Sequence, residues 1–423
     1  MAIRVTIFIL FLSLQLRCFS QQSAHYGAAK YVPQNGERIL ILGQDLGAVG
    51  GLSTHMDGYI DNLNQIPAGV TTYTNIPSLG GLQNYTNWGS GDVNAQAYID
   101  DSKFENTCLA IGLFINGELR NIRDGFWNHQ IRILARWIKD TDRPVFLRIG
   151  YEFDGPWNGL NPDEYVDAWK QIVKVFDWEE VRNVAYVWQS AGINTNNIER
   201  WYPGDQFVNW VGYSHFDGPD HGRVMRAFAA EHGKPIMIAE AAPRRNLRTG
   251  DGPTEWRNWF EPLFNTIENN DQIKALAYIN TNWDEQPMWR GQGWGDSRVE
   301  VNQYIKEQWL DQVNDERWLK SSDDLLEQLQ YQFWQELAPL NVLNPFWEKV
   351  TVSVDQDYLT INVDNNQHFK TTLYDLRGAI VWESDSWNGA ATSIPKSQLD
   401  RKILMLHIQA DSHELTQKIF LKQ

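Results

Sequence analysis

Residues 144–157 read Pro144-Val145-Phe146-Leu147-Arg148-Ile149-Gly150-Tyr151-Glu152-Phe153-Asp154-Gly155-Pro156-Trp157. The apolar residues at the start of this stretch predict a buried strand, and the Gly, Pro and Trp at its end predict a loop. Because side chains alternate along a strand, we expect Arg148, Gly150 and Glu152 on one face. A carboxylate beside a guanidinium at a strand end is either a structural ion pair or part of a functional site, and this stretch alone supports both interpretations equally.

A second glutamate ends a strand of the same kind, in Lys234-Pro235-Ile236-Met237-Ile238-Ala239-Glu240-Ala241-Ala242-Pro243. Other predicted strands also end in polar or aromatic side chains, namely Asp45, Gln189, His215 and Trp283. Packing alone does not account for this coincidence. We therefore expect the strand ends to form one functional site.

Predicted strands and helices alternate about eight times, and each strand is a nearly continuous apolar run. This pattern is typical of a parallel sheet that is covered by helices. Length and repeat number favour a closed α/β fold, the (β/α)8 TIM barrel, over an open doubly wound sheet. No G-x-G-x-x-G fingerprint supports the open alternative.

The chain is predicted to have four segments. Residues 1–20 have a short basic start and an apolar run, which is typical of a secretory signal peptide; Arg17 directly before Cys18 fits the competing lipoprotein anchor poorly. Residues 37–320 are predicted to form the barrel, and 321–345 a helix and linker. The period of two in residues 346–423 predicts a small antiparallel β-sandwich.

Composition restricts the class of partner. The net charge of −16 disfavours nucleic acid and anionic polymers, whereas a neutral substrate is not repelled. The 20 Trp suit stacking on sugar rings as well as filling a core. Without the leader, Cys108 is the only cysteine, and its apolar neighbours predict an inert core thiol.

Several kinds of ligand are not expected. No cluster of His, Cys and carboxylates has the spacing of a metal site, and we predict neither a metal nor another cofactor. No segment after the leader is long and apolar enough for a membrane helix. We expect the chain to act as a monomer.

Two carboxylates that face each other across a barrel mouth can hydrolyse a glycoside. At about 5 to 5.5 Å apart, one attacks the anomeric carbon and the other protonates the leaving oxygen, which retains the configuration. An adjacent Arg favours the ionised nucleophile, and burial or a like charge keeps the acid protonated.

The motif Arg148-x-x-x-Glu152-x-x-Gly155-x-Trp157 resembles the acid/base motif of family 26 glycoside hydrolases, a clan A barrel family dominated by endo-β-1,4-mannanases. The segment Trp201-Tyr202-Pro203-Gly204-Asp205-x-x-Val208-x-Trp210-Val211-Gly212 is similar to that family's entry to strand six, and Lys234 through Glu240 resembles its nucleophile strand.

This resemblance implies Glu152 as acid/base, Glu240 as nucleophile, Arg148 as the residue that orients them, and Trp157 and Trp283 as sugar platforms. The family usually has His where this chain has Tyr151. It also has a Tyr near the end of strand six that contacts the nucleophile. That position corresponds to Phe216, with Tyr213 or His215 as candidate substitutes.

The predicted activity is that of a secreted retaining endo-β-glycanase on a neutral β-linked polysaccharide, with β-1,4-mannan as the first choice. The alternatives are β-1,3-xylan, mixed-linkage β-glucan or an algal galactan, exo rather than endo action, and a non-catalytic barrel that only binds polysaccharide. The residues expected to contact substrate are Arg148, Tyr151, Trp157, Trp188, Tyr213, His215, Trp283 and Asp45.

The C-terminal segment resembles the sorting domain of type IX bacterial secretion, through Leu373-Tyr374-Asp375-x-x-Gly378 and the final Lys418-Ile419-Phe420-Leu421-Lys422. The resemblance implies that the secretion machinery is a partner. It also implies a secreted or cell-surface location in a Gram-negative bacterium. A carbohydrate-binding sandwich is the alternative interpretation of this segment.

Overall fold

The computed structural model describes residues 28–193, 196–216 and 222–336, and then 350–354, 357–363, 369–375, 379–386, 392–399, 403–410 and 413–420. The predicted signal peptide and most of the predicted linker lie outside these residues. The chain divides into two compact units, Met1–Ala338 and Pro339–Gln423. No helix of the described residues is long and apolar enough to cross a bilayer.

The first unit is a closed barrel of eight parallel strands, and this confirms the predicted TIM fold. The strands are β1 (Arg38–Gly43), β2 (Gly69–Asn75), β3 (Cys108–Phe114), β4 (Val145–Ile149), β5 (Val184–Ser190), β6 (Trp210–His215), β7 (Ile236–Ala241) and β8 (Ile273–Ile279). Each strand pairs with the next, and β8 returns to β1 with Ile39 opposite Ala275 and Gly43 opposite Ile279. The two-residue strand Trp318–Leu319 pairs in parallel with the first two residues of β1, Arg38 and Ile39.

The α-helices of this unit are α1 (Leu46–Val49), α2 (Tyr59–Leu63), α3 (Ala95–Asp100), α4 (Leu119–Arg123), α5 (Asn128–Asp140), α6 (Pro162–Trp178), α7 (Arg223–Glu231), α8 (Gly252–Glu255), α9 (Glu261–Glu268), α10 (Gln303–Val313), α11 (Leu325–Gln328) and α12 (Tyr331–Glu336). A π-helical turn, Trp256–Phe260, joins α8 to α9. Asn161 caps the N-terminus of α6, because its side chain accepts hydrogen bonds from the backbone of Asp163 and Glu164.

Most residues of the strands are apolar because both faces of each strand are buried. Ile39, Ile41, Phe146 and Met237 belong to a cluster inside the barrel, whereas their neighbours along each strand pack against the helices. Cys108 lies in the inner cluster, and burial raises the pKa of its thiol to about 12. A thiol in this setting is protonated at neutral pH, which fits the predicted core role.

The barrel unit is larger than the predicted range 37–320. Tyr31 packs beneath the barrel against Phe146 and Tyr331, with ring centroids 6.0 and 6.1 Å away, and Trp210 donates a hydrogen bond to the Lys30 carbonyl at 2.7 Å. Helices α11 and α12 therefore close the barrel floor instead of belonging to a linker. The single helix predicted there is divided in two, because Gln330 has a φ of 54°.

The described residues of the second unit form two antiparallel sheets, as the period of two predicts. Its strands are β9 (Val350–Val354), β10 (Tyr358–Val363), β11 (Phe369–Tyr374), β12 (Ile380–Ser386), β13 (Thr392–Pro395), β14 (Ile403–Ala410) and β15 (His413–Phe420). One sheet has the order β9-β10-β13, and the other has the order β12-β11-β14-β15.

Candidate active site

The chain turns sharply where β4 ends. Gly150 and Glu152 both have left-handed backbone conformations, with φ of 51° and 54°. A Cβ at Gly150 would lie 2.8 Å from a side-chain carbon of Ile115, so the turn requires glycine. A left-handed glutamate is costly and persists only where its surroundings hold it, as they often do at functional sites.

Hydrogen bonds hold the loop that carries Glu152. The Asn158 side chain donates to the Glu152 carbonyl at 2.8 Å. Asp154 accepts from the Ser190 hydroxyl and from the Ala191 backbone, both at 2.7 Å. These bonds tie the loop after β4 to the end of β5 and fix the direction of the Glu152 side chain.

The Glu152 carboxyl group lies in an environment that favours its protonated form. Burial and the nearby Glu240 carboxylate raise its pKa from 4.5 to about 8. Hydrogen bonds from Ser214 and from the Trp157 indole, the latter at 3.2 Å to Oε2, oppose this rise. Glu152 therefore carries a proton at neutral pH, as a general acid must.

Glu240 points into the barrel mouth because β7 has an irregular register. Tyr213 pairs with Ile238, but the next residue of β6, Ser214, pairs with Glu240. This bulge leaves Ala239 unpaired with β6. Simple alternation would have placed Glu240 on the same outer face as Ile238, and the extra residue redirects it.

The Glu240 carboxylate is held by two donors that come from different strands. Arg148 Nη1 donates to Oε1 at 2.6 Å, and the Tyr73 hydroxyl donates to the same oxygen at 2.9 Å. Arg148 is fully buried and also donates to Thr71 Oγ1 at 2.8 Å. These charge-assisted hydrogen bonds fix the Glu240 carboxylate in place.

Tyr73 is a site residue that the sequence analysis missed. It lies near the end of β2, directly across from β3, and the absence of a side chain at Gly112 gives its ring room. A Cβ at Gly112 would lie 2.5 Å from Tyr73 Cδ1. The hydroxyl of Tyr73 thus makes the contact to Glu240 that was expected from Tyr213 or His215.

The structure brings Tyr151 and Trp157 to the same place as the two glutamates. The Tyr151 ring packs edge-on against Tyr73, with centroids 5.3 Å apart, and the Arg148 guanidinium lies 5.5 Å from its centroid. Trp157 is 62% exposed beside Glu152, so its face is open to a ligand. Both positions fit contact with a bound sugar.

Three predicted contact residues face away from the barrel mouth. Trp188 is fully buried under the helices, stacked on Phe153 at 4.7 Å. Tyr213 lies under Arg226 of α7, and His215 lies against Trp259 at 5.5 Å. These residues have the outward phase of their strands, so the prediction that they contact substrate was wrong.

Two further predicted contact residues are structural. Asp45 accepts the Ala48 backbone N–H at 3.0 Å and the Thr281 hydroxyl at 3.2 Å, so it caps α1; burial raises its pKa to about 6. Trp283 is only 2% exposed and donates to Ser297 Oγ at 3.0 Å. It forms a tryptophan cluster with Trp289 and Trp294 in the loop after β8.

Phe216 does not replace the expected tyrosine, since it packs against Trp294 at 5.0 Å in this same cluster. Among the described residues, no group of three or more His, Cys, Asp or Glu side chains could hold a metal ion.

The chain is similar to known proteins both in sequence and in fold. Residues 123–230 match the sequence profile of Glycosyl hydrolase family 26. Beta-1,3-xylanase TXYA of Vibrio sp is 34% identical over 337 residues, which are 73% of this chain and 71% of the relative. A beta-1,3-xylanase of Alcaligenes sp is 33% identical over 338 residues, 73% of this chain and 70% of the relative.

A solved structure supports the fold. The modular endo-beta-1,4-mannanase from Cellulomonas fimi superposes with a TM-score of 0.53 at 14% identity, and the match covers 92% of this chain and 94% of that one. At this identity the likeness concerns the fold alone.

Proposed function

This chain belongs to glycosyl hydrolase family 26 and is a glycoside hydrolase, and we propose that it cleaves β-1,3-xylan internally, with retention of configuration. The observation that carries the reaction is the pairing of a protonated Glu152 with a Glu240 that Arg148 and Tyr73 hold. Support for the substrate comes from the two relatives that are named β-1,3-xylanases over about 70% of their length.

From the sequence, β-1,4-mannan was the first choice of substrate, and β-1,3-xylan was one of the alternatives. The order changes because the relatives with 34% and 33% identity are β-1,3-xylanases, whereas the mannanase structure shares only 14%. The departure from the mannanase-like motif at Tyr151, which lies beside Tyr73 and Arg148, agrees with a different sugar at the reactive position. Mannan, mixed-linkage glucan and galactan remain outcomes of the substrate test.

In the first step, Glu240 attacks the anomeric carbon while Glu152 gives its proton to the leaving glycosidic oxygen. The carbon–oxygen bond of the linkage breaks, and an ester bond forms between that carbon and Glu240. Arg148 and Tyr73 both bind Oε1, and within the described residues no hydrogen bond engages Oε2. Oε2 is therefore the attacking oxygen.

In the second step, water attacks the same carbon, the ester breaks, and Glu152 accepts the proton of the water. The role of Glu152 can reverse because the charge on Glu240 is one cause of its raised pKa. Once Glu240 is an uncharged ester, that cause is gone, and Glu152 ionises more readily as a general base.

The proposed substrate is tested with a panel of β-1,3-xylan, β-1,4-mannan, β-1,4-xylan, mixed-linkage glucan and algal galactan. We expect β-1,3-xylan to be hydrolysed fastest, with products of intermediate size early in the reaction and a β-anomer in the first proton NMR spectra. Preference for another polysaccharide would overturn the substrate, early release of only the smallest sugar would overturn internal cleavage, and an α-anomer would overturn retention.

The raised pKa of Glu152 predicts the alkaline side of the pH profile. Because glycosylation needs this carboxyl protonated, kcat/KM should fall about tenfold per pH unit above about pH 8. The profile should be measured with soluble β-1,3-xylooligosaccharides well below KM, so that it reports the free enzyme. A decline centred below pH 6 would contradict the assignment of Glu152 as the acid.

Tyr73→Phe should lower kcat/KM about 10- to 100-fold with little change in KM, because it removes a hydrogen bond to an ionised group. A matched control is Tyr98→Phe in α3, since the Tyr98 hydroxyl is buried and has no hydrogen-bond partner among the described residues. This control should have wild-type activity. Equal activity of the two variants would contradict the role of Tyr73.

The location of the enzyme is a separate part of the proposal. We propose that a Gram-negative bacterium exports the chain as a monomer, and that the secretion machinery reads residues 346–423. The basic and apolar N-terminus and the basic C-terminus support this view. Removal of residues 346–423 should leave the enzyme in the periplasm of a host with type IX secretion, and unchanged export would contradict it.

A further inference from the structure

A chain of buried hydrogen bonds runs from Glu240 through Arg148 and Gln189 to Ser214. Arg148 Nη1, which binds Glu240, also donates to Gln189 Oε1 at 3.1 Å. Gln189 Nε2 in turn donates to Ser214 Oγ at 3.1 Å. Gln189 and Ser214 are both fully buried. The Ser214 hydroxyl lies on the Glu152 side of this chain and lowers the pKa of the Glu152 carboxyl group.

The direction of these bonds is fixed by the chemistry of arginine. A guanidinium has donors only, so Gln189 must turn its carbonyl oxygen toward Arg148 and its amide nitrogen toward Ser214. The Ser214 oxygen then accepts from Gln189, and its single proton is left for another acceptor. The carboxyl group of Glu152, whose pKa Ser214 lowers, can accept this proton.

We propose that Gln189 and Ser214 are positioning residues for Glu152. Arg148 orients the amide of Gln189, and this amide orients the Ser214 hydroxyl so that its proton points toward Glu152. The two residues thereby help to determine the pH at which Glu152 ionises. The inference rests on the proposed roles of the two glutamates. Ser214 contacts the acid/base, and Gln189 acts through Ser214. A purely structural role for Gln189, as a polar side chain that fills the barrel mouth, predicts no change in the pH profile.

Several charged or titratable groups face Glu152 and have to be considered with Ser214. Glu240 approaches from β7, Asp154 lies on the same loop, and Tyr151 precedes Glu152. The two carboxylates favour the protonated form of Glu152. Ser214 opposes them because its O–H stabilises the ionised form, which the second step of the reaction needs.

Ser214→Ala should therefore move the alkaline limb of kcat/KM upward by about 0.5 to 1 pH unit. It should also slow hydrolysis of the glycosyl-enzyme at pH 7 by about 10-fold, because less Glu152 is ionised as a base. This rate is measured with aryl glycosides that have good leaving groups, for which the second step limits turnover.

Gln189→Glu tests the direction of the chain, because a carboxylate accepts from both Arg148 and Ser214 and draws the Ser214 proton away from Glu152. We expect the alkaline limb to move upward, and to move less when Ser214→Ala is already present. The same shift in both backgrounds would show that the new charge acts directly, and would overturn the proposal. The control Gln171→Glu, on α6 at the outside of the barrel, should leave the limb in place.

Gln189→Met provides a second measurement if Gln189→Glu does not fold, since it adds no charge. It should move the limb in the same direction by a smaller amount, and an unchanged limb in both Gln189→Met and Ser214→Ala would overturn the proposal. Failure of the proposed function has a different signature. In that case Glu152→Gln and Glu240→Gln would still hydrolyse β-1,3-xylan.

Discussion

Replacement of Glu240 by Ala is expected to lower kcat/KM on β-1,3-xylan by at least about 10⁴-fold, which corresponds to about 5.5 kcal/mol of transition-state stabilisation. The reason is that the glycosyl-enzyme can no longer form. Azide should then rescue the cleavage of an activated aryl β-xylooligosaccharide, because a small anion fits the space of the lost carboxylate. Its attack on the anomeric carbon gives the α-azide.

Glu152→Ala should give the opposite stereochemistry with the same reagents. Glu240 can still displace a good leaving group without acid assistance, and azide then attacks the glycosyl-enzyme in place of water. The product is the β-azide, with the configuration retained after two displacements. The anomer of each azide, determined by NMR, thus assigns each glutamate its role. Identical azides from both variants would contradict the assignment.

A matched control separates a catalytic carboxylate from one that is merely perturbed. Glu300 is a carboxylate whose pKa burial raises, and it accepts a hydrogen bond from Asn280 at 2.9 Å. Perturbed carboxylates often have structural roles. Glu300→Gln should therefore keep kcat/KM within about threefold of the wild type and should give no azide product. A large loss of activity in Glu300→Gln would mean that removal of any buried carboxylate lowers activity. It would then contradict a specific catalytic role for Glu152 and Glu240.

The parts of the site that the sequence predicted are those that local rules determine. Apolar runs followed by Gly and Pro mark the ends of barrel strands, and chemistry in this fold collects at these ends. This reasoning located Glu152 and Glu240 and, through alternation along β4, placed Arg148 with Glu152. In the structure β4 ends at Ile149 and Glu152 follows in a left-handed turn, so alternation does not extend to it, and Arg148 binds Glu240.

The errors arise because both faces of a barrel strand are apolar. Hydropathy then contains no signal for which face points inward, so Trp188, Tyr213 and His215 were predicted to face the mouth although they have the outward phase. The sequence also gives no sign of the bulge in β7, because the bulge depends on how β7 pairs with β6. Only the structure shows which residues of each strand face inward and which way Glu240 points.

Tyr73 was missed for a different reason, namely that its contact is made across the barrel. It lies 167 positions before Glu240 in the chain, and the resemblance directed attention to strand six. The alternation of side chains nevertheless predicts that Thr71 and Tyr73 share one face of β2. In the structure, Thr71 accepts a hydrogen bond from Arg148 and Tyr73 donates one to Glu240. Gln189 was noted as a polar strand end, but its partners could not be derived without the register of β5 and β6.

Arg148→Met is expected to destabilise the barrel by about 3 to 5 kcal/mol and to remove nearly all activity. The side chain is fully buried, and its loss leaves the Glu240 carboxylate with Tyr73 as its remaining donor among the described residues. Addition of Glu240→Gln to this variant should restore part of the lost stability, because no buried charge then lacks its partner. The measurement is the midpoint of thermal unfolding for the two single variants and the double variant.

The exposed ion pair of Arg200 with Asp163 provides the matched control, because its two hydrogen bonds of 3.2 and 2.7 Å also join a guanidinium to a carboxylate. Solvent screens this pair, so Arg200→Met should leave the midpoint and the activity unchanged. A double variant of Arg148 and Glu240 that loses the full sum of the two single effects would contradict the argument. Arg148 would then stabilise the barrel through Thr71 and Gln189 instead of through Glu240.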